Sequence, residues 1–341
     1  MPPKEPSKSK RILGLDSIRF LAAVWVMMYH IGTSQLYEQL DRSNLFGKVL
    51  GAGLDCVFNG PAAVIVFFVI SGFCIHYPFR ERTTKVHIPS FLIRRYIRIL
   101  IPLLLCLGLT MALGLPTDTV GRLVGWSIEC ELIYYTIYPV LLPIGRKVGW
   151  GKLVVLFLPV SLVYIGFTNP GAGMYPSFGL WGNALIGLPC WILGVKLAEY
   201  SPKLWKYNLR NLWISRIFTF FASMVCFSMM LHIKIGLPWS LNFFAVLSFF
   251  WLSQEIEHYQ KKFPIGWLEW GGKWSYSLYL IHGPLNVLFN KWEFNLGGNL
   301  IEWVIKILFI LIFSYVFYLL IEKPSHQLAR HLGKLVSPKA K

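Results

Sequence analysis

Arg19 and His30 sit within a stretch, 13–31, that is apolar enough to cross a bilayer and that also carries Asp16. They are eleven residues apart. In a helix that spacing is three turns to within about 20°, so both side chains leave one face, separated by ~16 Å along the axis. A cation is costly in hydrocarbon, and a stripe of this kind points toward a protein-lined cavity that handles substrate or protons. Neutral imidazole near pH 7 suits a general base, and a guanidinium suits an oxyanion or a phosphate. The plainer reading is a packing stripe in which Asp16 neutralises Arg19 and His30 already lies among headgroups.

Four other segments carry candidate chemistry. In HIPSFLIRRYIRILIP (87–102), Arg95 and Arg98 can face one direction while Arg94 and Arg98 are neighbours one turn apart. Planar guanidinium groups suit phosphate, whether of a phosphorylated cofactor or of lipid headgroups that would make the segment an interfacial anchor. In WSIECELIYYTIYP (126–139), Ser127, Glu131 and Tyr135 recur every four residues and form one polar stripe, with Tyr138 nearly above it. Glu131 can be a counter-ion to Arg19, a substrate-positioning group, or the holder of a His30 tautomer. Glu129 points to another face and reads as an extra pocket or pore acid. In SYSLYLIHGPL (275–285), His282 follows Tyr279 by one turn, and Gly283 and Pro284 are expected to kink or break the helix beside it. His282 belongs either to a site or to a hydrogen bond with a neighbouring span. In FFVISGFCIHYPF (67–79), Ser71 and Gly72 permit close backbone approach, Ser71 lacks the G-x-S-x-G frame of a nucleophile, and His76 reads as interfacial.

These segments need a scaffold, and composition limits what it can be. Of 341 residues, 55% are hydrophobic and only 14% charged, and the mean hydropathy is +0.53. A soluble domain is roughly a quarter charged, so the chain reads as an all-α, polytopic membrane protein. Apolar runs bounded by charge, Gly and Pro give ten candidate spans: 13–31, 57–77, 99–115, 123–143, 153–167, 180–198, 214–233, 238–253, 275–290 and 300–321. The net charge of +17 falls in alternate loops, among them Arg80 to Arg98, Arg146 to Lys152, Lys203 to Arg210 and Lys261 to Lys273. That distribution places both termini in the cytoplasm and explains the charge through orientation, not through nucleic acid. The six cysteines have no metal-ligand spacing and read as small core residues. The chain divides into a disordered basic tail (1–11), a membrane domain (12–322) and a basic cytoplasmic tail (323–341). The first span is too long for a signal peptide's apolar core and is retained.

In order along the chain, these pieces resemble the acyltransferase-3 family of integral membrane acyltransferases. LDSIRFLAAVWVMMYHIG is similar to the family's first helix with its Arg and His. FFVISGF is similar to its Ser-Gly-Phe element, FLIRRYIRILIP to its basic third-helix start, and WSIECELIYYTIYP to its Trp-Ser…Glu…Tyr…Pro signature. SYSLYLIHGP and IEKPSHQLAR resemble its late His and terminal Glu-Lys-Pro elements. The resemblance implies an O-acyltransferase of the plasma membrane, without the hydrolase-like domain of some members, moving an acyl group from cytoplasmic acyl-CoA to a surface or lipid-linked glycan. Acetyl-CoA is the simplest donor. It makes His30, Arg19 and Glu131 the candidate catalytic residues, with Arg19 deep for the acyl group and oxyanion. Arg94, Arg95 and Arg98 would hold the donor. Asp16, Ser71, Tyr135, Tyr279 and His282 would orient substrate or support the site. No bound metal or permanent cofactor is expected. The competing class is a transporter, since a pore uses the same inward polar groups. Transporters commonly carry two related halves, and the two halves of this chain show no such relationship.

Overall fold

The computed structural model describes residues 12–33, 43–81, 83–199, 208–292 and 300–337. The expected tail 1–11 and the loop cations Arg42, Arg82, Lys203 and Lys206 lie outside them, as do Lys339 and Lys341. The described residues form helices and turns with no strand. In order these are α1 (Leu15–Ile31), α2 (Leu45–Cys56), α3 (Gly60–His76), α4 (Ile88–Ala112), the single turn α5 (Asp118–Val120), α6 (Trp126–Val148) and α7 (Trp150–Thr168). Then follow α8 (Gly179–Glu199), α9 (Leu209–Ser228), α10 (Leu237–Lys261), α11 (Gly266–Gly272), α12 (Ser275–Lys291), α13 (Leu300–Phe317) and α14 (Lys323–Leu335).

Helices cover each of the ten apolar segments, and five stretches are both long and apolar enough to cross a membrane. Those stretches are Leu45–Phe79, Trp150–Thr168, Tyr175–Glu199, Leu209–Ile233 and Leu300–Leu335. The helices outside this set include four that bear candidate residues, α1, α4, α6 and α12. α1 and α12 have only 17 residues each, and the ends of α4 and α6 carry arginines and lysines. Charge that serves a site lowers the hydropathy of the helix that carries it.

Layering follows from apolar distribution. α3 and α8 are apolar all round and mostly buried, the signature of helices at the centre of a bundle. α7, α9 and α13 turn large side chains such as Phe167, Phe218 and Leu308 outward. Lipid tails provide no hydrophobic drive between helices, so close packing must hold the central pair. Gly72 and Gly194 provide it. A Cβ on Gly72 would stand 2.0 Å from the Trp191 carbonyl oxygen, and one on Gly194 would stand 1.9 Å from that of Val69. This contact explains the glycine of the Ser-Gly-Phe element, and it holds Ser71 against the centre of the bundle.

Local signals set the helix ends. Asn59 caps α3 by accepting from the Ala62 N–H at 3.1 Å, and its amide donates to the Ser223 carbonyl at 2.8 Å, tying α3 to α9. Gly121–Gly125 and Tyr318–Glu322 are π-helical turns, a form common near functional sites. The first leads into α6, and the second aims Glu322 inward. The segment 323–341, expected as a basic tail, contains α14, which packs along the first half of α4.

Candidate active site

α1, α3, α4, α6 and α12 surround a cavity of about 900 Å3, counting its open mouth, lined by Arg19, Ser71, Cys74, Arg95, Arg98, Glu131, Tyr135 and Tyr279. Sequence spacing anticipated the stripe on α6, and the structure places it opposite the arginines of α4. Glu131 Oε1 accepts from Ser71 Oγ at 2.7 Å and from the Tyr135 hydroxyl one turn away. The Ser71 Oγ also lies 3.3 Å from Tyr135 Oη and accepts from the Trp191 indole at 3.4 Å. The carboxylate is thus held by hydroxyls, while Arg19 has its ion pair with Asp16 at 3.8 Å. Arg95 lies over the Tyr135 ring, 5.9 Å from its centroid. Three guanidinium groups and one carboxylate leave this cavity cationic, a setting for an anion.

His30 and His282 lie elsewhere. Neither lines the cavity, and Tyr279, one turn before His282, stands between. The Tyr279 and His282 ring centroids are 6.3 Å apart, and the Tyr279 hydroxyl is 2.6 Å from Ser127 Oγ. Nδ1 of His30 lies 2.9 Å from Nε2 of His282, with the rings stacked at a centroid separation of 5.0 Å. Nδ1 of His282 in turn faces the carbonyls of Tyr279 at 2.8 Å and Leu278 at 3.2 Å. A carbonyl only accepts, so Nδ1 of His282 carries the hydrogen and, in the neutral ring, Nε2 is a lone pair. That lone pair accepts from Nδ1–H of His30. The neutral His30 is therefore left with Nε2 unprotonated, the form a general base requires.

Several expectations change. Arg19 lines the cavity and His30 does not, so two residues on one helix face do not open into one pocket. Arg94 is exposed and lies against Gly333 of α14, away from Arg95 and Arg98. Glu129 is exposed and does not line the cavity, so it is no cavity acid. His76 is fully buried rather than interfacial. Its Nδ1 is 2.8 Å from Tyr138 Oη and its Nε2 is 3.1 Å from Glu199 Oε1, because α3 ends where α6, α7 and α8 converge. Among the cysteines, Cys74 lines the cavity instead of filling the core.

Two carboxylates support the site from outside it. The first turns of α1 and α12 receive no side-chain cap from their own N-cap residues. Glu269 of α11 supplies the first, accepting through Oε1 from Gly14 N–H at 2.9 Å, Ser17 N–H at 3.1 Å and Ser17 Oγ at 2.8 Å. Glu322 supplies the second, accepting from Ser277 N–H at 3.0 Å and Ser277 Oγ at 2.5 Å. Each satisfies otherwise orphan donors and sits at the positive end of the dipole. These are the two helices that bear His30 and His282. Glu322 is the acid of the Glu-Lys-Pro element, so its place in the sequence marked it without revealing its role. Glu269 has no local signal, because its partner is more than 250 positions away in the chain.

A family model described as an acyltransferase domain, acyltransferase-3, matches residues 12–319. The chain belongs to the acyltransferase-3 family. The match spans every helix that lines the cavity and the histidine pair, and the chain is an integral membrane acyltransferase. No curated protein and no solved structure matches it.

Proposed function

We propose that this protein is an O-acyltransferase that moves an acyl group, most simply acetyl, from cytoplasmic acyl-CoA to a hydroxyl of a surface or lipid-linked glycan. The observation that carries this reading is the separation of an arginine-lined cavity from a histidine pair whose hydrogen bonds leave one ring nitrogen free. In this reading ten helices span the plasma membrane with both termini in the cytoplasm. The end of the bundle where α1 begins and α6 ends then faces the cytoplasm. Donor phosphates rest on Arg95 and Arg98, and the thioester arm passes Arg19 and Tyr279 toward His30.

At the far end of the arm, Nε2 of His30 takes the proton of the acceptor hydroxyl as its oxygen attacks the thioester carbonyl. The C–S bond breaks, the ester forms, and the thiolate recovers the proton from the imidazolium. His282 holds His30 in the competent tautomer throughout. Glu131, fixed by Ser71 and Tyr135, orients the donor in the cavity.

The test is mass spectrometry of surface glycans together with transfer from labelled acyl-CoA, in cells carrying the wild-type or the His30→Ala protein. The expected result is a gain of one acyl group per modified sugar with wild type and its loss with the variant at equal membrane abundance. Wild-type transfer by the variant removes the general-base role. Solute flux without acyl transfer would favour a transporter.

A further inference from the structure

A second cleft, of about 1010 Å3, opens beside the start of α4 and the last turns of α6. Its cations are Lys85, just before α4, and Arg146 and Lys147 near the end of α6, and no acidic residue lines it. Ile88, Leu142 and Pro143 give it an apolar wall. The cluster is built. Arg146 Nη2 donates to the carbonyls of Phe79, Glu81 and Thr84, each at 2.8 Å, which pins the segment carrying Lys85 against α6. Arg146 adds charge from behind, its Nε–H buried, while Lys85 and Lys147 are the exposed donors of the cluster.

The two cationic sites are in register. Tyr135, beneath Arg95, and Arg146 are eleven residues apart on α6, three turns on nearly one face and ~16 Å of rise. A nucleotide with phosphates on two sides of one ribose, and its base free to lie on the apolar wall, carries anionic groups that suit both.

We propose that this cleft binds the 3′-phosphoadenosine end of the acyl-CoA donor. Lys85, Arg146 and Lys147 take the 3′-phosphate, the wall of Ile88, Leu142 and Pro143 takes the purine, and Arg95 and Arg98 take the pyrophosphate. The proposal rests on the acyl-CoA reading above. It adds a specificity site that distinguishes coenzyme A from donors lacking the 3′-phosphate.

The experiment compares binding of coenzyme A and of 3′-dephospho-coenzyme A to the full-length protein in nanodiscs of zwitterionic lipid. Lys85→Ala and Lys147→Ala alter exposed side chains and leave the Arg146 anchor in place. Wild type is expected to prefer coenzyme A by about tenfold or more, the value of a charge-assisted phosphate contact, and the lysine variants to lose most of that preference with dephospho binding unchanged. Equal preference in wild type and variants overturns the proposal. So does a variant phenotype that appears only in a parallel set of nanodiscs containing anionic phospholipid, as weaker lipid retention with the coenzyme A preference unchanged, which would make the cleft a headgroup site. A wild-type protein that binds neither ligand overturns the acyl-CoA reading itself, and the cleft's assignment with it.

Discussion

Nδ1 of His30 on α1 and Nε2 of His282 on α12 are 2.9 Å apart, and the backbone carbonyls behind His282 decide which of the two rings donates. The pair behaves as one unit. On the proposed general-base role, His30→Ala is expected to lose ~10²- to 10⁴-fold in transfer. His282→Ala leaves the ring of His30 free to choose either tautomer, so activity should fall less but clearly. His282→Gln, whose side-chain oxygen can accept from Nδ1–H of His30, should recover part of it. Rates from labelled donor in nanodiscs decide the order, and equal activity of the Ala and Gln variants would remove the tautomer argument.

The three arginines of α4 should divide. Arg95 and Arg98 line the cavity, while Arg94 lies on Gly333. Arg95→Ala and Arg98→Ala are expected to weaken coenzyme A binding by about 10- to 100-fold, and Arg94→Ala to leave it within twofold. Calorimetric titration of the three purified variants is the measurement.

Ser71 donates to Glu131 at 2.7 Å and shares that acid with Tyr135. If its work is to hold the carboxylate, Ser71→Ala should cost about tenfold in transfer, the order of one hydrogen bond to a charged group. No acylated serine should appear in mass spectra of enzyme trapped with donor alone. Complete inactivity with normal donor binding would instead make Ser71 a nucleophile.

Gly72→Ala should lower stability, because its Cβ would meet backbone and not a movable side chain. An over-packed contact of this kind costs ~1–3 kcal/mol. Gly108→Ala is the control, since nothing stands within 4 Å of that Cβ and alanine favours helix. Thermal unfolding in detergent should separate the two.

Glu322→Ala and Glu269→Ala should each cost ~1 kcal/mol or more through loss of a helix cap. Each should also reduce transfer more than donor affinity, because the caps fix the helices of the histidine pair and not the arginines of α4. Rate and donor binding measured on one preparation test this.

Much of this protein is determined by its sequence alone. Hydropathy marked ten segments that are all helical, five of them in stretches long and apolar enough to cross a membrane, and the 3.6-residue repeat put Ser127, Glu131 and Tyr135 on one stripe. Ordered motifs named the family, and Arg19, Arg95, Arg98, His30 and His282 were all legible as candidates. Periodicity, however, only says which residues share a face of one helix. Which faces meet is decided by packing, here by the glycine contact between α3 and α8 and by carboxylates that cap helices far away in the chain. Only the tertiary structure therefore joined His30 to His282 across 252 positions, turned Arg94 and Glu129 outward, buried His76, and set Arg19 in one cavity with Arg95 and Arg98 instead of with His30.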